Sequence, residues 1–259
     1  LIIIEKNAKA QLLVCDHTME NLNFFANRIT EVFVNENAIY EHYKLENTHK
    51  KNISINGLFI EQKAKSEVLT NIITLHNGIT RNNIKIKLDG EYADTTLCGI
   101  AIEDDKQHID NFTLIEHAQA NCTSNELFKY ILDKESMGVF TGKIYVAKDA
   151  QKTAAFQSNK NICLSDDSKV YTRPQLEIYA DDVKCTHGAT VGQLDEAALF
   201  YLRTRGIEEK EAKLLLMYAF TNDVSDNIKI PSLKDRMKML IESRLRKEKG
   251  RCQKCMICL

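Results

Sequence analysis

Between Ile53 and Gly192 the chain is written in short β-rich runs, several of which alternate apolar and polar residues. Ile53 and Ile55, then Ile84, Ile86 and Leu88, then Phe112 and Leu114, and later Leu176 and Ile178 occupy every second position. A period of two turns the apolar side chains of a strand to one side, so these runs predict half-buried strands and an all-β region. Asn, Asp, Gly and Ser separate the runs, which recur at a spacing of about ten residues. Leu1 to Ile4 reads as a further strand, and Asn77-Gly78 reads as a tight-hairpin signal. Short strands with polar corners suit a sandwich or a solenoid of stacked parallel strands, and periodicity leaves that choice open.

After Gly192 the period changes. Asp195 caps a helix carrying Leu199 and Leu202, which ends where Gly206 supplies a left-handed residue. A second helix runs from Glu208, with Ala212, Leu215, Leu216, Ala219 and Phe220 predicted on its buried face. A third begins near Pro231, carries Leu233, Met237, Leu240, Ile241 and Leu245, and is expected to stop at Gly250. The expected organisation is a β domain over 1–193, a helical domain over 194–250 and a cysteine-containing tail over 251–259.

A chain of 259 residues that is 44% hydrophobic can bury a sizeable core. With 35 basic and 36 acidic residues it has no overall attraction for nucleic acid or anionic lipid. The apolar stretch Leu214 to Phe220 falls far short of the roughly 20 residues that cross a bilayer as a helix, so no membrane insertion is expected. No secretory leader is recognisable at Leu1, and a start without Met inside regular structure suggests a piece of a longer protein. The eight cysteines form no compact disulfide framework, which favours reduced thiols and a cytoplasmic location.

Gln175-Leu-Glu-Ile-Tyr-Ala-Asp-Asp-Val-Lys-Cys-Thr-His-Gly-Ala-Thr-Val-Gly-Gln-Leu-Asp-Glu196, continuing to Gly206, resembles the C-terminal signature of the SufB/SufD iron–sulfur cluster assembly scaffold family. Gln151 to Ser165 is similar to the Gln- and Asn-rich run that precedes a Pro-Gln-Leu-Glu segment in that family. The Lys184-Cys-Thr-His-Gly188 form is similar to the SufD branch, whereas SufB carries a glutamate-containing variant nearby. The resemblance implies a right-handed parallel β-helix followed by a small helical domain. It implies association with SufB, docking of the ATPase SufC on the helical domain, and a transient iron–sulfur cluster at a shared interface with no stably bound cofactor. Whether flavin or iron is handled directly stays open. A further N-terminal helical region usual in the family is absent from this sequence. An isolated chain is expected to pair with itself through an open sheet edge.

Cys185 and His187 lie two apart, so on a strand they share a face, where thiolate and imidazole suit zinc or iron–sulfur chemistry if other ligands complete the site. Spacing alone favours the plainer reading, in which Cys185 packs as a small apolar residue and His187 bonds to backbone. The resemblance adds that the matching histidine lies at the SufB–SufD interface, near a sulfur-accepting cysteine of SufB. Cys252, Cys255 and Cys258 have thiolate-ligand spacing behind a basic run from Arg244, but without a fourth ligand the motif is incomplete; a metal-binding module is the alternative they support.

The chain has no P-loop and no Gly-x-Ser-x-Gly elbow, so ATP hydrolysis belongs to a partner and no catalytic residue is expected. A polysaccharide-acting β-helix enzyme is the rival reading, resting on Asp104, Asp105, Asp181 and Asp182, although neighbouring acids more simply make turns. His76, His108 and His117 are isolated and read as hydrogen-bonded strand or loop residues.

Overall fold

The computed structural model describes residues 1–17 and 23–248. The tail with Cys252, Cys255 and Cys258, and the expected helix stop at Gly250, lie outside the described residues. The chain divides into two compact units between Gln193 and Leu194.

The first unit is a parallel β-solenoid of two seven-stranded sheets. One sheet holds β1 (Ile2–Ile4), β3 (Phe25–Val34), β5 (Ile53–Gln62), β7 (Ile79–Leu88), β9 (His108–His117), β11 (Met137–Val146) and β13 (Lys169–Ile178). The other holds β2 (Lys9–His17), β4 (Ile39–Asn47), β6 (Glu67–His76), β8 (Asp94–Glu103), β10 (Thr123–Leu132), β12 (Ala154–Cys163) and β14 (Lys184–Gly192). Each strand pairs with the strand two later, because the chain crosses to the other sheet and back in every coil. Asn77-Gly78 is therefore a corner between sheets and not a hairpin. Its glycine is needed for close approach, since a Cβ there would lie 2.3 Å from the Asn52 carbonyl oxygen of the preceding coil.

The coil length is set at one corner. Asn7, Asn37, Lys65, Tyr92, Asn121 and Lys152 all adopt φ between 56° and 62°. Each donates its N–H to a carbonyl of the next coil, from Asn7 to Glu36 through to Lys152 to Asp182. A left-handed conformation is unfavourable for residues with a Cβ, by roughly 1–2 kcal/mol. An inter-coil hydrogen bond worth about 1 kcal/mol offsets part of that at every level. A small residue follows each time, and Ala38, Ser66, Ala93, Cys122 and Thr153 are buried there.

Alternation sends every second side chain into the lumen. In the C-terminal coils Phe128 and Phe140 meet across the two sheets at 5.2 Å between ring centroids, alongside buried polar residues such as Glu126 and Gln157. Gly99 makes room for Phe128, since a Cβ would lie 2.5 Å from its ring. Toward the N-terminus the lumen is polar. Arg28 donates to both oxygens of Asp16 at 2.7 and 3.1 Å, Lys44 donates to Asn82 at 3.2 Å, and Thr80 donates to Glu46 at 2.8 Å. Asn56, Asn82, Asn111 and Tyr130 continue as a ladder of hydrogen bonds of 2.7 to 3.0 Å. The buried Lys44, Glu46, Asn82 and Asn111 persist here through these bonds, while Arg28 stays exposed.

The second unit contains α1 (Glu196–Thr204), α2 (Glu209–Ser225) and α3 (Pro231–Leu245). Asp195 accepts the Ala198 N–H at 3.0 Å, and Gly206 takes φ 85° just beyond the helix. The five apolar residues expected on α3 are all buried. The helix ends at Leu245, short of Gly250, with Lys247 in the left-handed region. The face of α2 departs from expectation. Leu215 and Ala219 are exposed, while Ala212, Leu214, Met217, Thr221, Val224 and Ser225 are buried. Thr221 and Ser225 enter the interior because each hydroxyl donates to a carbonyl three residues back, at 2.7 and 3.2 Å.

Candidate functional site at the open end of the solenoid

β13 and β14 terminate their sheets, so the outward edge of each has no neighbouring strand among the described residues. Such an edge offers backbone donors and acceptors to another chain. Pro174, within β13, suits that position because an edge strand tolerates a missing N–H.

Cys185 and His187 share one side of β14, paired in register with Ala155 and Gln157 of β12. Their surroundings differ. Cys185 is half-buried against a cluster of Ile144, Val146, Ala150, Ala155 and Ala180. Burial pushes its thiol pKa up, against a smaller opposing pull from its hydrogen bond with the Ala155 backbone, so it favours the neutral thiol. His187 is exposed, and beside it a Cβ on Gly188 would meet nothing within 4 Å. The strand thus presents an accessible imidazole with a thiol tucked beneath it.

The same end exposes Phe156, Leu164, Tyr171, Ile178, Tyr179 and Val191, each at 37% or more. Exposed apolar side chains beside an unpaired edge fit a surface that another protein covers.

The other candidates fall elsewhere. The Asp105 carboxylate is held by Lys134 at 2.5 Å and by Lys50, which pull its pKa down to about 2. The Asp104 N–H donates to Gln107 Oε1 at 2.7 Å, and the Asp182 N–H to Gln151 Oε1 at 2.9 Å. Asp104 with Asp105, and Asp181 with Asp182, are sequence neighbours at corners, not a facing pair poised on a sugar. His117 is sealed in the lumen, bonded to Ser124 at 2.8 Å, and burial drives its pKa down to about 4. Among the described residues no group of three or more His, Cys, Asp or Glu is placed to hold a metal ion.

Two lumen residues that sequence reasoning passed over belong to this site. Gln157 lies next to His187 across the strand pair, and Glu126 of β10 lies next to Gln157. Gln157 Nε2 donates to Glu126 Oε2 at 2.7 Å. Burial pushes the Glu126 carboxyl up to about 7. The signal that finds them is coil length, because positions 126, 157 and 187 fall one coil apart.

The family model for the SUF system FeS cluster assembly SufBD core domain matches residues 1–220. The iron–sulfur cluster assembly protein SufD of Escherichia coli is 33% identical over 240 residues, which cover 91% of this chain and 56% of that protein. An iron–sulfur cluster assembly SufBD family protein of Synechocystis is 30% identical over 252 residues, covering 94% of this chain and 56% of its own length. The SufD protein of Plasmodium falciparum is 28% identical over 192 residues, 73% of this chain and 13% of that protein. The chain thus spans about half the length of the first two relatives. A parallel solenoid with helices after it, the signature around Cys185 and His187, and these matches together show that the chain belongs to the SufBD core family of the SUF iron–sulfur cluster assembly system.

Proposed function

We propose that this chain is a non-catalytic scaffold subunit that builds iron–sulfur clusters together with SufB and the ATPase SufC. The observation that carries the reading is the open strand β14, which displays His187 beside unpaired backbone groups and exposed apolar side chains. A second solenoid edge laid against β13 and β14 would satisfy those groups and bring a partner's ligands to His187. The cluster is then the cargo of a shared site, for which this chain supplies an imidazole and, after deprotonation, the Cys185 thiolate. In the helical unit, α1 has no buried residue and exposes Phe200 at 69% and Tyr201 at 57%, which suits docking of SufC. The absence of a helix long and apolar enough to cross a membrane among the described residues is compatible with a cytoplasmic complex.

The test is to co-purify the full-length protein with SufB and SufC and to quantify iron and sulfide after anaerobic reconstitution. His187→Ala is expected to form the complex but to assemble cluster poorly. Assembly at the wild-type rate by that variant would overturn the role given to His187, and failure of the wild type to form any complex would overturn the scaffold reading.

A further inference from the structure

Glu126, Gln157 and His187 form one inward-facing row on successive strands of the same sheet. Neighbouring strands lie about 4.8 Å apart, so side chains in such a row stack directly on one another. Gln157 spends its Nε2 on Glu126, while its Oε1 is buried and has no hydrogen-bond partner. The facing wall holds the amide in place. Gly142 of β11 approaches so closely that a Cβ there would lie 2.5 Å from Gln157 Nε2. A carboxamide whose N–H is drawn to a carboxylate turns its carbonyl toward its other neighbour. In this row that neighbour is His187.

We propose that Gln157 is a positioning residue for His187, accepting an N–H from the imidazole so that the other ring nitrogen faces the open edge with its lone pair free. The direction of the row is set from inside. Gln157 Nε2 already donates to Glu126 Oε2, so the amide donates inward and has its oxygen left to accept outward, and His187 must be the donor. Fixing the tautomer of a ligating imidazole through its second nitrogen is how neighbouring groups orient a ligand and raise its basicity. A neutral imidazole held this way suits a borderline-soft metal such as iron supplied across the interface. This inference rests on the reading of His187 as the working group. It adds how the ring is prepared and which buried residues prepare it.

The experiment is nitrogen-15 NMR of histidine-labelled full chain, without partners, with His187 assigned by loss of its signals in His187→Ala. One neutral tautomer is expected to be enriched by about 3- to 10-fold over an unconstrained imidazole, the range of a single net hydrogen bond. Gln157→Leu is expected to remove the enrichment. Glu126→Gln keeps size and hydrogen bonding but removes the directional demand, so it is expected to reduce the enrichment even though Glu126 is two strands from His187. Should Gln157→Leu fail to fold, Glu126→Gln decides. An enrichment unchanged by these variants, or none in the wild type, overturns the proposal. No partner or cluster enters the measurement, so its result is separate from cluster assembly by His187→Ala. Normal tautomers with defective assembly overturn the positioning role alone, and perturbed tautomers with normal assembly overturn the functional reading alone.

Discussion

The middle of the solenoid and its last coil carry the same reactive residue types and treat them in opposite ways. In the middle, Cys98 and Cys122 are buried, with the Cys98 thiol pushed up to about 12, and His42 and His117 are driven down to about 4 by burial. In the last coil Cys185 is half-buried and His187 faces solvent. Each strand of the stack covers the one before it, and β14 has no successor among the described residues. For residues on the lumen side, availability for chemistry is therefore decided by the coil on which a residue falls, not by its identity. A cysteine and a histidine two apart become a candidate site only at the uncovered end.

The sharpest way to break this contrast is to weaken the middle without touching the end. Phe128→Ala removes a fully buried ring that joins the two sheets and should cost about 3–5 kcal/mol, read as a lowered urea midpoint. The buried histidines give the next largest effect. Both are harder to protonate in the folded state, so the unfolded chain takes up more protons as the pH falls. Their stabilising contribution is whole above about pH 6.5 and is lost toward pH 4, at up to about 3 kcal/mol each. Glu126 works in the opposite sense. Its carboxyl is raised to about 7, so stability falls as the pH rises from about 4.5 through 7, and Glu126→Gln should remove that part of the loss. Urea unfolding measured from pH 4.5 to 8 on the wild type and on His117→Phe checks both signs.

Thiol labelling sharpens the contrast further. In native protein at pH 7.5, Cys98 and Cys122 should resist alkylation until the solenoid opens. Cys185 should react, though more slowly than an unburied thiol, because burial raises its pKa. Peptide mapping by mass spectrometry resolves the three. The smallest effect is predicted at the edge, where His187→Ala should cost no more than one net hydrogen bond, about 0.5–1.5 kcal/mol. A large loss there would mean that the imidazole holds the coil together.

Much of the architecture is legible from local pattern, and the exceptions have physical causes. Apolar alternation marks the strands from Ile53 onward because their lumen is mostly apolar. The strands before it hide because charge is buried there in Lys44 and Glu46, with Asp16 and Arg28 beside them, which erases the alternation. The repeat escapes notice because the left-handed corner is filled by Asn, Lys or Tyr. The constant element is the small residue after it, from Ala8 to Thr153. Asp195 and the buried face of α3 follow from capping and helical spacing, whereas the α2 face misleads because Thr221 and Ser225 satisfy their own hydroxyls and so sit inside. Cys185 and His187 stand out through the family signature around them, since their spacing alone also fits plain packing. Gln157 and Glu126 do not, because their link to His187 depends on the length of each coil between them.

The unbroken register of β10, β12 and β14 has one more consequence. Successive strands advance by about 4.8 Å, so the stack acts as a ruler whose graduations are side chains. Glu126 lies about 10 Å behind His187, and the spacing between them is fixed by backbone and not by side-chain reach. Adding or deleting a whole coil would leave every mark on the ruler intact but change which residue is read at its tip.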